Sequence, residues 1–159
     1  MDANPSRLTR IAVAAALVFS ASVTLPGCDR MANLSAEEHI QRAKDMQAEG
    51  DAKSSILELK NAIQKDPNST QARFLLGQLY ISAKQGSAAE KELTKARELG
   101  IDKETINIPL GEALLLIRDY KRLLEEIQPS EQTSTTNKAK IMVLHGNAKL
   151  GLREWQQAC

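Results

Sequence analysis

Small residues recur along this chain at a period of about 34 residues, and this recurrence restricts the fold more than any other feature. One series has spacings of 34, 34 and 35 residues: Ala43, Gly77, Gly111 and Gly146. A second series follows each member of the first by 12 residues: Ser55, Ala89, Leu123 and Ala158. A unit of this length accommodates two helices and a turn, and small residues let the two helices approach closely. The period therefore predicts an all-α solenoid of antiparallel helix pairs.

Helix start and stop signals divide the first repeat into two helices. Ser35 followed by Glu38 is a capping-box pattern, so a helix begins directly after the serine. Gly50 marks the turn that ends this helix. The second helix covers about residues 52–65, where apolar residues recur three and four positions apart on one face. Pro67 follows its end, because the residue before a proline avoids the helical region.

The period predicts the bounds of the repeats in the rest of the chain. They occupy about four ranges: 36–69, 70–103, 104–137 and 138–159. In the third repeat, Pro129 shortens the second helix, and the serine- and threonine-rich residues 130–137 are typical of a loop. The fourth repeat stops halfway through its expected second helix, and no polar capping helix follows. We therefore expect this chain to be an N-terminal fragment of a longer solenoid.

Residues 1–27 have the order of a secretory signal peptide. Two arginines precede an apolar run from Ile11 to Val23, which is shorter than the roughly 20 residues that a membrane-spanning helix needs. Removal of this segment would leave 132 of the 159 residues, beginning at Cys28. The other cysteine is Cys159, so the exported chain would have no internal disulfide framework.

The end of this segment resembles the bacterial lipobox, in which a small residue immediately precedes a lipid-accepting cysteine. Leu25, Gly27 and Cys28 match the pattern, whereas Pro26 is unusual in its position. The resemblance implies that Cys28 carries acyl chains such as palmitate, and two chains are enough for stable membrane anchoring. Residues 28–34 would then form the lipid-anchored tether of the solenoid. An ordinary export signal with an incidental cysteine, or an uncleaved anchor, is the alternative.

The residue after the cysteine bears on the choice of membrane. Asp29 resembles the signal that retains lipoproteins in the inner membrane of some Gram-negative bacteria. We therefore expect a membrane-anchored lipoprotein that faces the periplasm, with the inner membrane favoured over the outer. The residues from Asp29 to Leu34 reach roughly 20 Å when extended, which would hold the first repeat near the lipid headgroups.

The repeats themselves resemble tetratricopeptide repeats. The span from Ala43 to Gly100 is similar to the opening of the long tetratricopeptide lipoproteins that accompany the PEP-CTERM and exosortase sorting system and exopolysaccharide loci. This resemblance implies a right-handed tetratricopeptide-repeat solenoid that acts as a non-enzymatic scaffold for envelope proteins or peptide segments. In such solenoids the first helix of each repeat forms the concave wall, where peptides dock.

The resemblance also implies candidate groove residues on the first helices of three repeats. They are Ile40, Lys44, Gln47, Gln71, Phe74, Gln78, Ile81, Ile108 and Glu112. This mixture of polar and aliphatic side chains suits an extended peptide or a protein surface better than a polyanion. For Ile40, Phe74 and Ile108, a place in the core between neighbouring repeats is an equally good interpretation.

The charge and the histidines argue against other functional classes. The chain has 21 basic and 20 acidic residues, and this net charge of +1 provides no overall field to attract nucleic acid. His39 and His145 lie in different repeats, without a cysteine or paired carboxylates at ligand spacing. We therefore expect no catalytic residue, no metal and no cofactor.

These observations predict a lipid-anchored scaffold that organises protein partners in exopolysaccharide export or PEP-CTERM protein sorting. Two alternatives stay open from the sequence. One is a tetratricopeptide lipoprotein that assists pilus or outer-membrane protein assembly. The other is the docking arm of an envelope enzyme whose catalytic domain lies beyond Cys159.

Overall fold

The computed structural model describes the backbone of residues 34–158 and the side chains as far as Arg153. The predicted signal peptide, the lipobox residues Leu25, Pro26 and Gly27, the lipid acceptor Cys28 and Asp29 lie outside the described residues. The predictions made for them are therefore carried by the sequence alone.

Seven helices and no strand make up the described residues, which confirms the all-α prediction. The helices are α1 (Ala36–Ala48), α2 (Ala52–Lys65), α3 (Thr70–Ser82), α4 (Gly86–Glu98), α5 (Lys103–Leu116), α6 (Tyr120–Glu126) and α7 (Thr135–Ala158). The first six form three consecutive pairs, and each pair also packs on the helix that follows it. The last helix, α7, packs on both α5 and α6. The result is a solenoid of stacked helix hairpins.

Side-chain caps begin most of these helices where the sequence predicts. Ser35 and Glu38 form the full capping box: the Glu38 backbone N–H donates to Ser35 Oγ at 3.2 Å, and the Ser35 N–H donates to Glu38 Oε2 at 2.8 Å. Asp51, Ser69 and Asp102 each accept a hydrogen bond from the backbone N–H three residues later. Each cap satisfies a backbone donor that has no partner within its helix.

The three hairpins turn in the same way. Residues in the left-handed region occupy equivalent positions 34 apart: Gly50 (φ 81°), Lys84 (φ 58°) and Arg118 (φ 60°). The sequence indicates only the first of these turns by a glycine. A side chain in this conformation costs roughly 1 kcal/mol, so packing of the hairpins has to offset that cost at Lys84 and Arg118.

The small residues of the 34-residue period allow close packing in the middle of the solenoid. A Cβ added to Gly77 would lie 2.5 Å from Leu93 Cγ, and one added to Gly111 would lie 2.8 Å from Leu144 Cδ1. Ala43 is buried, and its carbonyl accepts a 2.8 Å hydrogen bond from the Ser55 hydroxyl. In the first two repeats these contacts join the two helices of one hairpin, as predicted, whereas Gly111 lies closest to Leu144 on α7, the first helix of the next repeat.

The fourth repeat departs from the predicted course. The period places a turn near Arg153, but α7 continues through this position to Ala158 without a break. Because no proline interrupts this stretch, the backbone hydrogen bonds are best satisfied by a continuous helix.

Candidate interaction surface

The first helices of the second, third and fourth repeats form a continuous wall of the solenoid. Helix α3 contacts α5, and α5 contacts α7, in addition to the contacts within each hairpin. The candidate groove residues lie on α3 and α5 in this wall and on α1 of the first repeat. A candidate groove residue can contact a ligand only if its side chain is exposed on this surface.

The polar candidates point into solvent. Five of the nine are exposed: Lys44, Gln47, Gln71, Gln78 and Glu112. They offer two charges of opposite sign and three carboxamides, each of which can both donate and accept hydrogen bonds. A wall of this composition can pair with the backbone of an extended segment without favouring either charge strongly.

The apolar candidates divide between core and surface. Ile40 is only 3% exposed and packs among Ala43, Leu59 and Leu76, so the structure places it in the core. Phe74, Ile81 and Ile108 are half-buried and pack against the larger core cluster with part of their surface accessible. Of the apolar candidates, these three can therefore offer surface to a ligand.

A groove of about 620 Å³ lies between α5 and α7. Ile108 and Glu112 come from α5, and the residues from α7 are Thr135, Thr136, Ala139, Lys140, Val143 and Leu144. The groove residues predicted from the sequence come only from the first three repeats, so they do not include the groove residues on α7. The period itself was a sufficient signal, because Phe74, Ile108 and Val143 follow one another at 34 and 35 residues.

Ion pairs join the two helices within the first two hairpins. Glu58 on α2 contacts His39 Nδ1 at 2.5 Å and Arg42 at 3.2 Å, both on α1. Glu92 on α4 contacts Arg73 on α3 at 2.7 Å. Both hairpins therefore use a glutamate 19 residues after a basic side chain. The sequence signal for this repeated pair was again the 34-residue period.

A second group of charges connects the second helices of neighbouring repeats. Arg122 on α6 contacts Glu90 on α4 and Glu126 on its own helix, each at 2.7 Å, and Arg97 contacts Glu126 at 2.6 Å. Desolvation would raise the pKa of Glu126, but the hydrogen bonds from Arg97 and Arg122 outweigh it and lower this pKa. The charges neutralise one another and stabilise the stack.

Both histidines have structural partners. His39 is buried beside Glu58, and His145 Nε2 lies 2.7 Å from the carbonyl oxygen of Ile127, which joins α7 to the end of the preceding repeat. Among the side chains described, from Leu34 to Arg153, no three of His, Cys, Asp or Glu come together in a group that could hold a metal ion. These contacts give both histidines a role in packing.

Comparison with known proteins supports the repeat assignment. Residues 46–100 match the sequence model of the tetratricopeptide repeat. No curated protein matches the chain. The matched span runs from the end of α1 through the α3–α4 hairpin, where the helix pairs, turns and period are clearest. The fold is therefore an all-α tetratricopeptide-repeat solenoid, and repeats of this kind generally serve as non-catalytic scaffolds that bind protein partners.

The described helices offer no transmembrane segment. Within residues 34–158, no helix combines the length and the apolar character needed to cross a bilayer.

Proposed function

We propose that this protein is a lipid-anchored scaffold in the bacterial envelope, which binds protein segments along the wall formed by its first helices. The observation that carries the binding part is the mixed surface of this wall. Exposed side chains such as Gln78 and Glu112 lie beside the half-buried Phe74 and Ile108. Polar groups can pair with a peptide backbone while apolar surface receives alternate side chains.

The groove between α5 and α7 supports an extended or helical protein segment as the ligand. Its volume of about 620 Å³ accommodates several side chains, and its walls are mostly aliphatic or hydroxyl-bearing. Glu112 and Lys140 stand on opposite sides and would orient a segment that carries both charges. No cluster of basic residues lines it, so the groove suits a peptide better than a polyphosphate.

Anchoring is the second part of the proposal and rests on the sequence around Cys28. Lipid attached there would hold the solenoid at the membrane, facing the periplasm, with partners that are membrane proteins or pass close to the bilayer. The resemblance to lipoproteins of the PEP-CTERM and exosortase system favours a role in exopolysaccharide export or protein sorting. We also propose that the chain has no catalytic activity of its own.

The two cysteines provide a matched test of anchoring. The full chain, Cys28→Ala and Cys159→Ala would each be expressed in a Gram-negative host with labelled palmitate and then fractionated. We expect Cys28→Ala to lose the label and leave the membrane fraction, whereas Cys159→Ala keeps both. Label on Cys28→Ala, or its continued need for detergent, would contradict the proposal.

Site-specific photo-crosslinking tests the binding wall separately. A crosslinking residue would replace Gln78 on α3 or, as the matched control, Lys91 on α4, since both positions are exposed. The proposal predicts discrete protein adducts from position 78 and few from position 91. Equal adducts from both positions would show that the wall has no special role, whatever the outcome of the anchoring test.

A further inference from the structure

The groove between α5 and α7 has one negative and one positive side chain among its lining residues. Glu112 on α5 and Lys140 on α7 are both exposed. Among the side chains described, neither of them forms an ion pair with another residue. Glutamates elsewhere in the solenoid, such as Glu92 and Glu126, are bound to arginines. The groove therefore offers both of its charges to a ligand.

The two charges lie at different levels along the groove. Glu104 Oε1 accepts a 2.6 Å hydrogen bond from Asn137 Nδ2, so residues 33 apart lie side by side at this point of α5 and α7. The equivalent glycines of the two helices are 35 residues apart. Lys140 is therefore level with residues 105–107, five to seven residues before Glu112. At 1.5 Å per residue, the two charges are roughly 8–10 Å apart along the helix axes.

Apolar surface separates the two charges. Ile108, which precedes Glu112 by one helical turn, is half-buried, and Val143, which follows Lys140 by nearly one turn, is 63% exposed. Leu144 is buried at the floor of the groove between them. Along its length the groove thus presents a cation, then apolar surface, then an anion.

The charged residues nearest to Lys140 along the two helices have partners of their own. Glu104 accepts hydrogen bonds from the Ser134 backbone N–H and the Asn137 side chain. Lys138 Nζ donates to the backbone carbonyl oxygen of Glu131 at 3.4 Å. Because Glu104 and Lys138 carry opposite charges, together they change the field at this end of the groove little. The sign of the charge there is set by Lys140.

We propose that the groove binds one face of an amphipathic helix of a protein partner, on which an acidic and a basic side chain at positions i and i+7 flank an apolar pair. Because it names the ligand of the same wall, this inference rests on the function proposed above. In a helix, positions i, i+3, i+4 and i+7 share one face, and i and i+7 are about 10 Å apart along the axis. The carboxylate would pair with Lys140 and the basic side chain with Glu112, while the apolar pair covers Val143.

Two other occupants fit this arrangement less well. In an extended segment, an acidic, an apolar and a basic side chain on one face stand at i, i+2 and i+4 and span about 13 Å. This span is longer than the separation of the two charges in the groove. An anionic lipid surface would pair with Lys140 but would be repelled by Glu112. A helix of mixed charge uses both charges and the apolar surface between them.

Three alanine-based peptides of about 15 residues test the charge pattern. All carry leucines at i+3 and i+4, and the residues at i and i+7 are glutamate with lysine, two glutamates or two lysines. Their ends are acetylated and amidated, which removes the terminal charges. Fluorescence anisotropy of the labelled peptides, titrated with the full chain in detergent at low salt, measures binding. We expect the mixed peptide to bind about tenfold more tightly than either of the other two.

Charge reversal in the groove should change which peptide binds best. Lys140→Glu leaves two carboxylates there, so the peptide with two lysines should bind about tenfold more tightly than the mixed one. Glu112→Lys leaves two cations and should favour the peptide with two glutamates to the same extent. Lys91→Glu, an equal charge change on the exposed surface of α4, should leave the preference unchanged. Circular dichroism checks that every variant keeps its helical content.

A proline at i+5 of the mixed peptide, on the far side of its helix, tests the conformation of the ligand. Proline interrupts a helix, so this peptide should bind about tenfold more weakly. Equal binding of the proline peptide would contradict the proposal, because the occupant would then be extended. An unchanged peptide preference in both Lys140→Glu and Glu112→Lys, or no binding of any peptide, would contradict it as well.

The photo-crosslinking test described above separates this inference from the proposed function. If no peptide shows the expected preference but position 78 still gives discrete protein adducts, the wall binds partners and only the helical ligand of mixed charge is wrong. If position 78 also gives no more adducts than position 91, the proposed function of the wall is wrong too.

Discussion

Helices α3 and α7 occupy equivalent places in their repeats, yet only α3 is enclosed. Each has a glycine of the 34-residue series at its centre. Gly77 in α3 is pressed against Leu93, whereas Gly146 in α7 has open space around it. The period identifies positions that allow a second helix to approach, but the stabilising contact exists only where that helix is present.

The same difference extends to the neighbouring side chains. Arg73 in α3 is paired with a glutamate of α4, while its counterpart Met142 in α7 is largely exposed. Leu93 covers Gly77 and is fully buried, but no described residue covers Gly146. Substitutions at equivalent positions of the two helices should therefore differ in magnitude and, for the glycines, in sign.

The largest difference is expected for leucines. Leu93→Ala removes a fully buried side chain from the core and should lower the free energy of unfolding by about 2–5 kcal/mol. Leu150→Ala, on the exposed face of α7, should change it by less than about 0.5 kcal/mol. Urea denaturation of both variants measures this contrast, and comparable losses would show that the face around Leu150 is buried in solution.

The glycines provide the sharpest contrast. Gly77→Ala places a Cβ against Leu93 and should cost about 1–3 kcal/mol of stability through overpacking. Gly146→Ala meets no neighbour and should stabilise α7 by up to about 1 kcal/mol, because alanine favours the helix. Thermal denaturation compares the two variants. A destabilising Gly146→Ala would indicate that another helix already packs on this position.

The ion pair in the α3–α4 hairpin should contribute less than the leucine. Glu92→Ala leaves Arg73 partly buried without its carboxylate, so we expect a loss of about 1–3 kcal/mol. Met142→Ala, at the position equivalent to Arg73, should be nearly neutral because its side chain is exposed. If Arg73→Ala combined with Glu92→Ala costs as much as the sum of the single changes, the pair makes no coupling contribution.

The smallest expected effect is the contribution of Glu126 to the loss of folding stability at acidic pH. Because the pKa of Glu126 is lowered in the folded chain, its contribution is present above the usual glutamate pKa of 4.5 and is lost as pH falls below it. Glu126→Gln should therefore reduce the acid dependence of stability in that range, by about 0.2–1 kcal/mol for such a solvent-screened group. Glu125→Gln removes an equal charge one residue away and serves as the control. If both variants show the same dependence of stability on pH, Glu126 makes no special contribution to the stability of the folded chain.

Much of the fold follows from short-range signals in the sequence. The capping box of Ser35 and Glu38 and the turn at Gly50 lie where local backbone chemistry dictates, and the small residues of the period mark the close contacts. In the other two hairpins, the residues with positive φ are Lys84 and Arg118, so no glycine in the sequence indicates a left-handed conformation there. Backbone hydrogen bonds to the last turn of the preceding helix accompany that conformation at both positions, and neither lysine nor arginine favours it by itself.

The interaction surface was less predictable than the fold. The position of a residue on a first helix does not show how deeply its side chain is buried. The sequence therefore could not distinguish Ile40, which is buried, from Phe74, which is half-buried. Val143, in contrast, could have been assigned to the groove from the sequence, because it follows Phe74 and Ile108 at the repeat period. The course of α7 depends on which helices are available to pack on it, which the period does not contain.

Hydrogen exchange of the full chain tests the contrast between α3 and α7 most directly. We predict that backbone amides of residues 76–79 exchange only on global unfolding, whereas those of residues 146–150 exchange at least about tenfold faster through local opening. Equal protection of the two segments would contradict this prediction, because the open face of α7 would then be covered in solution as α3 is.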